Sequence, residues 1–400
     1  MLRALVLRDF RNFEKLDVEI PEAGLVIVGE NGHGKTNLLE AISYLGLFRS
    51  IRGSRDVDAI RFGAPAFHVR AELSGVDQSE TVSVGYERST KRKKAMVSGV
   101  EQVKLSNALG ALPSVCFSPV DVALVAGGPA ERRHFLDVAL ALTYPRYLQA
   151  LQQYRAALRQ RNAALRAAQR AGARPGGAHD VQVSVWEPTL AQHGATLTAL
   201  RHSWCARHAA RFTELCAAIG ERVAVSLRYS GAELRAANTD SSPTPTETLE
   251  VNGDSVSTSR ENASATHRAY RDNYRTLFEQ QRANELRRGS TLVGPHRDDL
   301  QLFLGTRDLR TFGSAGQQRT AAIALRMLEL ATRRDALDAP PLLLLDDPFA
   351  ELDAKRSARI LALFEETGVG QVIMAVPRDE DIPASFTRLE RRAMINGTLR

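Results

Sequence analysis

The chain has 400 residues, 44% of them apolar and 25% charged, which is enough to bury a large core and to make two domains or one domain with a big insertion. No apolar run approaches the ~18 residues of a membrane span, and the start MLRALVLRDFRNF is too charged for a secretory signal. Cys116, Cys205 and Cys216 are few and scattered, as expected of a reducing cytoplasm, and a net charge of +7, mostly from Arg, permits nucleic-acid binding without requiring it.

In chain order, LRALVLRDFRNF, KLDVEI and GLVIVG predict short strands separated by turn residues. A glycine-rich loop follows, then a helix in KTNLLEAISYLGLF, with Leu38, Leu39, Ile42 and Leu45 on one face. Strand-like text continues to about residue 118, interrupted by the basic stretch RSTKRKK (88–94), which reads as a hairpin tip. From about residue 130 the texture becomes Ala/Arg/Leu/Gln-rich and helical, with Leu148, Leu151, Tyr154 and Leu158 forming an apolar stripe. Residues 238–262, rich in Ser, Thr, Pro and Glu, have little to bury and predict a mobile loop. A last helix, THRAYRDNYRTLFEQQRANELRRG, closes this block, and strand-like text resumes at STLVGPHRDDLQLFL. The expected fold is α/β: one domain from both chain ends (1–125 and 290–400) around a mostly helical insertion at 126–289.

Three stretches carry chemistry. GENGHGKT, Gly29 to Thr36, fits G-x-x-x-x-G-K-[ST] and lies between a predicted strand and a predicted helix. Its glycines (Gly29, Gly32, Gly34), with Glu30, Asn31 and His33 between them, let backbone N–H groups wrap phosphates at a helix N-terminus. Lys35 would reach the β- and γ-phosphates of ATP, and the Thr36 hydroxyl would ligate Mg²⁺. PPLLLLDDPFAELD (340–353) supplies a buried parallel strand ending in two carboxylates. Asp346 suits holding Mg²⁺, and Asp347 suits orienting or deprotonating an attacking water.

The third stretch, FGSAGQQR (312–319), puts small polar residues at the head of a helix, again an anion site. Gly313 and Gly316 permit close backbone approach, and Ser314 would donate to a phosphate oxygen. Because the chain already has its own phosphate loop, this second reader is expected to serve the nucleotide of a second copy, in a two-fold dimer with two ATP molecules between facing subunits.

These stretches resemble the Walker A, signature and Walker B motifs of the ABC ATPase superfamily, in its SMC-like branch. Within that branch the chain is similar to the RecF-like family, on LRDFRNFEKL, GENGHGKTNLLEAISYLGLFRSIRG, VCFSPVDVALVAGGPAERRHFLD, YRAALRQRN, GPHRDDL, FGSAGQQRTAAIALRMLEL and LLLLDDPFAELD. The resemblance implies an ABC/SMC-like ATPase head with a short helical arm in place of a long coiled coil. It also implies ATP-dependent dimerisation on DNA near single-strand gaps, and work with RecR and RecO to help RecA load. Carried over, Ser314, Gly316 and Gln317 read the opposed nucleotide, and Asp353 lines the dimer interface. Some departures stand out. Ala375, Val376 and Pro377 occupy the place where such proteins carry a His or Thr, Asp347 stands where many have Glu, and no Gln of the Q-loop type can be placed. The implied activity is a weak, DNA-stimulated ATPase in which ATP acts as a timed switch, in a cytoplasmic, nucleoid-associated protein.

Duplex and gapped DNA would be held through the backbone, without sequence specificity. The densest basic run offers Arg88, Lys91, Arg92, Lys93 and Lys94, an equally good solubilising tip; Arg132, Arg133, Arg287 and Arg288 are weaker candidates. His202, Cys205 and His208 recur every third residue, rotate around a helix and lack a fourth ligand, so a zinc site is not expected.

Overall fold

A computed structural model describes residues 1–74, 79–231, 256–337, 340–350, 352–366, 370–382, 386 and 389–400. The chain folds into two compact units, the first made of residues 1–122, 218–220 and 315–400 and the second of 123–217 and 221–314.

In the first unit, β1 (Leu2–Phe10), β2 (Phe13–Glu19), β4 (Ala66–Ser74), β5 (Ser79–Glu87), β6 (Lys93–Val97) and β7 (Val100–Glu101) form an antiparallel sheet in the order β2-β1-β4-β5-β6-β7. Alternation of buried and exposed residues along β4 (Phe67, Val69, Ala71 and Leu73 inward) marks it as half-buried. A second sheet has the order β15-β14-β3-β13-β12-β8, from β3 (Gly24–Val28), β8 (Ser114–Phe117), β12 (Leu342–Asp346), β13 (Val372–Val376), β14 (Glu390–Ile395) and β15 (Thr398–Leu399). The ladders from β14 through β3, β13 and β12 to β8 are parallel. Its central strands LLLLD and VIMAV are buried at every position, as expected when both faces of a sheet are covered. The helix α1 (Lys35–Leu47) buries Leu38, Leu39, Ile42 and Leu45 in a single apolar core shared with both sheets.

The second unit contains α2 (Ala123–Ala126), α3 (Pro129–Thr143), α4 (Pro145–Arg170), α5 (Ala178–Ser184), most of α6 (Glu187–Ile219), and α7 (Val256–Arg288). It also holds a small antiparallel sheet, β11-β10-β9, made of β9 (Val225–Ser230), β10 (Asp299–Leu304) and β11 (Arg307–Asp308), followed by α8 (Leu309–Phe312). The first unit is completed by α9 (Ala315–Arg334) and α10 (Ala354–Glu366). The helices of the second unit are tied by a buried guanidinium. Arg161 on α4 is fully buried, donates to Glu187 on α6 and Glu285 on α7 at 2.6 Å each, and reaches Thr291 Oγ1 at 2.9 Å.

Two expectations need correction. Strand-like text at residue 290 predicts a return to the first unit there, whereas residues 290–314 belong to the second. The reason is pairing: β10 runs antiparallel to β9, Asp299 opposite Ser230 and Leu304 opposite Val225. The second concerns the predicted loop 238–262. Residues 238–255 lie outside the described residues, but 256–262 form the first turns of α7. From Val256 to Arg288 the chain carries neither Gly nor Pro, so nothing interrupts a helix until Gly289.

Candidate nucleotide site

The loop between β3 and α1 is built by glycine geometry. Gly32 and Gly34 have φ of 87° and 110°, backbone that side chains rarely adopt, and a Cβ on Gly34 would lie 2.5 Å from the Asn12 side-chain nitrogen. Gly29 packs so closely that a Cβ would meet the Met394 carbonyl at 2.4 Å. The loop is steadied from the β1–β2 turn and from the β14–β15 hairpin. Asn12 Nδ2 donates to the His33 carbonyl at 3.2 Å, and the Gly397 N–H donates to the same carbonyl at 3.0 Å. What remains is a turn whose amides crown a thirteen-residue helix.

Lys35 is buried, and its ammonium donates to the Gly29 carbonyl and, at 2.9 Å, to the Glu30 carbonyl. Burial pulls its pKa down, while the nearby Asp346 and Asp347 charges push it back up. Thr36 Oγ1 donates to Asp346 Oδ1 at 2.9 Å, joining residues 310 positions apart. Asp346 is itself buried, and burial holds its carboxyl above the ordinary range against the opposing effect of the Thr36 hydrogen bond. Ser118 Oγ comes to 3.5 Å of its other oxygen. Asp347 follows with φ 44°, a left-handed conformation that Asp tolerates better than most residues, and its N–H donates to the Ala375 carbonyl at 2.8 Å. The parallel register explains the convergence: β12 and β3 flank β13, so the carboxylates after β12 and the loop after β3 emerge at the same sheet edge.

The fit to ATP and Mg²⁺ rests on these atoms. A buried ammonium satisfied only by backbone carbonyls is suited to a polyanion, and a hydroxyl beside a carboxylate is the hard oxygen pair that Mg²⁺ takes.

The third stretch heads α9. Ser314 and Ala315 are exposed, and Gly316 and Gln317 are half-buried. Two residues on, Arg319 is buried at 4% exposure and donates to the Asp347 and Pro348 carbonyls at 3.3 and 3.4 Å. The turn that begins α9 is thereby tethered to the residue that follows β12. Gly316 has a local reason to lack a side chain, since a Cβ would lie 3.0 Å from the Arg356 guanidinium. Asp353 is an exposed residue that caps α10, accepting from the Arg356 N–H at 2.9 Å, and this hydrogen bond leads the causes that lower its pKa.

Comparisons with known proteins give the family and the fold. The family model described as RecF/RecN/SMC N terminal domain matches residues 1–385. The DNA replication and repair protein RecF of Latilactobacillus sakei is 34% identical over 367 residues, covering 91% of this chain and 89% of that protein. The chain belongs to the RecF family. A RecF of Salinibacter ruber is likewise 34% identical over 379 residues, 94% of this chain and 85% of its own. Among solved structures, the recombination mediator protein RecF bound to an ATP analogue, described as part of the RecFOR pathway, superposes with a TM-score of 0.81 at 26% identity, over 100% of this chain and 97% of its own. An SMC head bound to the C-winged helix domain of ScpA shares the fold, with a TM-score of 0.51 at 15% identity over 100% and 96% of the two chains. The fold is thus that of the ABC/SMC-like ATPase heads.

The basic candidates divide. Arg88, Lys91, Arg92 and Lys94 are exposed around the β5–β6 turn, with Lys94 near Glu101 at 3.4 Å. Lys93 turns inward instead: its ammonium pairs with Asp56 at 2.7 Å, donates to the Phe48 carbonyl at 2.8 Å and lies 5.3 Å from the centre of the Tyr44 ring. Arg132 is also spent internally, gripping both oxygens of Asp299 at 2.8 and 2.9 Å. Arg133 is half-buried, while Arg287 and Arg288 are exposed. His202 meets the Tyr270 hydroxyl at 3.0 Å and His208 packs on Trp204 with ring centres 4.9 Å apart.

Sequence reasoning missed Asn12, Ser118 and Arg319. The first lies in a stretch recognised only as family-like. The other two carried a signal in their neighbours: Ser118 directly follows β8, and Arg319 ends the Gln-Gln-Arg that small-residue logic left unexplained.

Proposed function

We propose that this chain is an ATP-switched DNA repair and recombination mediator, in which nucleotide joins two copies of the head over DNA. As a member of the RecF family it is a DNA replication and repair protein, and ATP is its nucleotide. The observation that carries the reading is the convergence of Lys35, Thr36, Asp346 and Asp347 at one sheet edge from opposite ends of the chain. Gly29 to Thr36 bind the triphosphate, Lys35 neutralises its β- and γ-oxygens, and Thr36 with Asp346 hold Mg²⁺, which supplies charge stabilisation for phosphoryl transfer. Asp347 orients or deprotonates the attacking water. Its side chain is one methylene shorter than the usual Glu, and Ala375–Pro377 offer no His or Thr partner; both features favour slow hydrolysis.

The exposed Ser314 tip, with Gly316 and Gln317, reads the triphosphate held by a second copy, and Asp353 lies at that junction. ATP then acts as interfacial glue, and hydrolysis releases it. Duplex or gapped DNA is held by its backbone, RecR and RecO act with the complex to load RecA, and the protein works in the cytoplasm on the nucleoid. Among the described residues, no helix is long and apolar enough to cross a membrane.

Light scattering with ATP and Mg²⁺ tests the switch. Wild type is expected to become a dimer, and Lys35→Ala and Ser314→Arg each to remain monomeric. An equimolar mixture of the two variants should recover dimers bridged by one intact site. A wild type that stays monomeric over a wide concentration range overturns the sandwich.

A further inference from the structure

The second unit contains a cavity of about 260 Å³ that plays no part in the nucleotide switch. It lies among α3, α4, α6 and the Pro295–His296 turn, so three stretches that mark the family, ERRHFLD, YRAALRQ and GPHRDDL, meet in one hollow. Its size is at the small end of ligand sites, which run from roughly 300 to 1,000 Å³.

Part of the lining is cationic. Arg133, Arg155 and Arg201 line it against a single carboxylate, Asp137. Asp137 and Arg201 form the fixed part. Arg201 is buried and donates to Asp137 at 2.7 Å, to the Tyr147 hydroxyl at 2.8 Å and to the Pro295 carbonyl at 2.7 Å. Asp137 also accepts from Arg155 at 2.8 Å. Arg155 is half exposed, and Arg133 donates to the Asp298 carbonyl at 2.7 Å; each guanidinium has five N–H donors, so both keep capacity toward the hollow. Burial and the Arg201 charge depress the Arg133 pKa, a tension that an incoming anion would relieve. Apolar lining comes from Leu151, Leu158 and Leu197, and Tyr154 adds a ring whose hydroxyl lies 2.6 Å from His296 Nδ1.

A hollow lined by two more cations than anions and by apolar and ring-bearing side chains has the chemistry of one nucleotide and no room for a duplex. We propose that this cavity binds a single nucleoside phosphate, with its phosphate on Arg133 and Arg155 and its base against Leu151, Leu158 and Tyr154. The source is either a free mononucleotide or one unpaired nucleotide of a DNA strand.

The test uses full-length Lys35→Ala protein, in which the head site is disabled, titrated calorimetrically with dTMP, thymidine, inorganic phosphate and 5′-phosphorylated d(T)₅. Saturable dTMP binding is expected, with thymidine and phosphate each at least about tenfold weaker. Adding Arg155→Gln, at a half-exposed position, or Arg133→Gln should weaken dTMP by about tenfold while a cooperative thermal transition shows that the protein is still folded, and Leu158→Glu should abolish binding. If d(T)₅ binds more tightly than dTMP the source is a DNA strand; if dTMP binds more tightly it is the free nucleotide. Absence of saturable binding to both overturns the proposal, as does binding indifferent to all three substitutions or inorganic phosphate that binds as tightly as dTMP.

Discussion

Asp347 combines two constraints in one residue. Its backbone sits at φ 44°, where most side chains are strained, and its carboxylate stands beside Asp346 at the end of β12. Asn tolerates that backbone as well as Asp does and removes only the charge. Asp347→Asn is therefore expected to keep ATP-dependent dimers, seen by light scattering, while phosphate release falls at least about a hundredfold. Loss of dimers together with hydrolysis would assign Asp347 to architecture and not to chemistry. Arg319 illustrates what single residues conceal. Its bonds to the Asp347 and Pro348 carbonyls span 28 and 29 positions, so the neighbouring Gln-Gln marks the residue but not its partners.

Elements were legible where their signal was local. The strand–loop–helix around Gly29–Thr36, the apolar run ending in Asp346 and the amphipathic α1 all stand where periodicity and glycine placement put them. The tip at 88–94 shows the limit. It is a turn between β5 and β6, yet Lys93 points inward because it shares the inner face of β6 with Ala95 and Val97, an alternation that the density of basic residues hid. The return at 290 was misplaced because strand-like text does not say which sheet it will join. The link among α4, α6 and α7 was invisible for a related reason: Arg161 is one of several arginines in its helix, and its carboxylate partners are 26 and 124 positions away. Removing that guanidinium leaves Glu187 and Glu285 buried without their counter-charge. Arg161→Met should cost about 3–5 kcal/mol. Both tryptophans of the chain, Trp186 and Trp204, lie in the second unit, so their fluorescence in a urea titration reads this loss directly. A change below about 1 kcal/mol would mean that the two carboxylates take up protons or water at little cost.

For the whole molecule, the separation of basic residues into outward and inward sets makes two distinct expectations. Replacing Arg88, Lys91, Arg92 and Lys94 with Gln should lower the slope of log affinity against log salt for duplex DNA by roughly 0.9 for each phosphate no longer neutralised. Lys93→Gln should leave that slope alone and instead lower the thermal midpoint, because Asp56 loses its ion pair. A slope unchanged by the fourfold substitution would remove this turn from the DNA surface.

The β-sheet that carries the phosphate loop has a consequence for biosynthesis. β3 is made among the first thirty residues, but its neighbours on either side, β13 and β14, begin at Val372 and Glu390. A nascent chain therefore carries the loop with both edges of its strand unpaired until β13 and β14 have been made, and Thr36 meets Asp346 only after 310 further positions of synthesis. Polypeptides cut short by a premature stop or a stalled ribosome would lack a formed triphosphate grip of their own, and two such copies could not be joined through nucleotide.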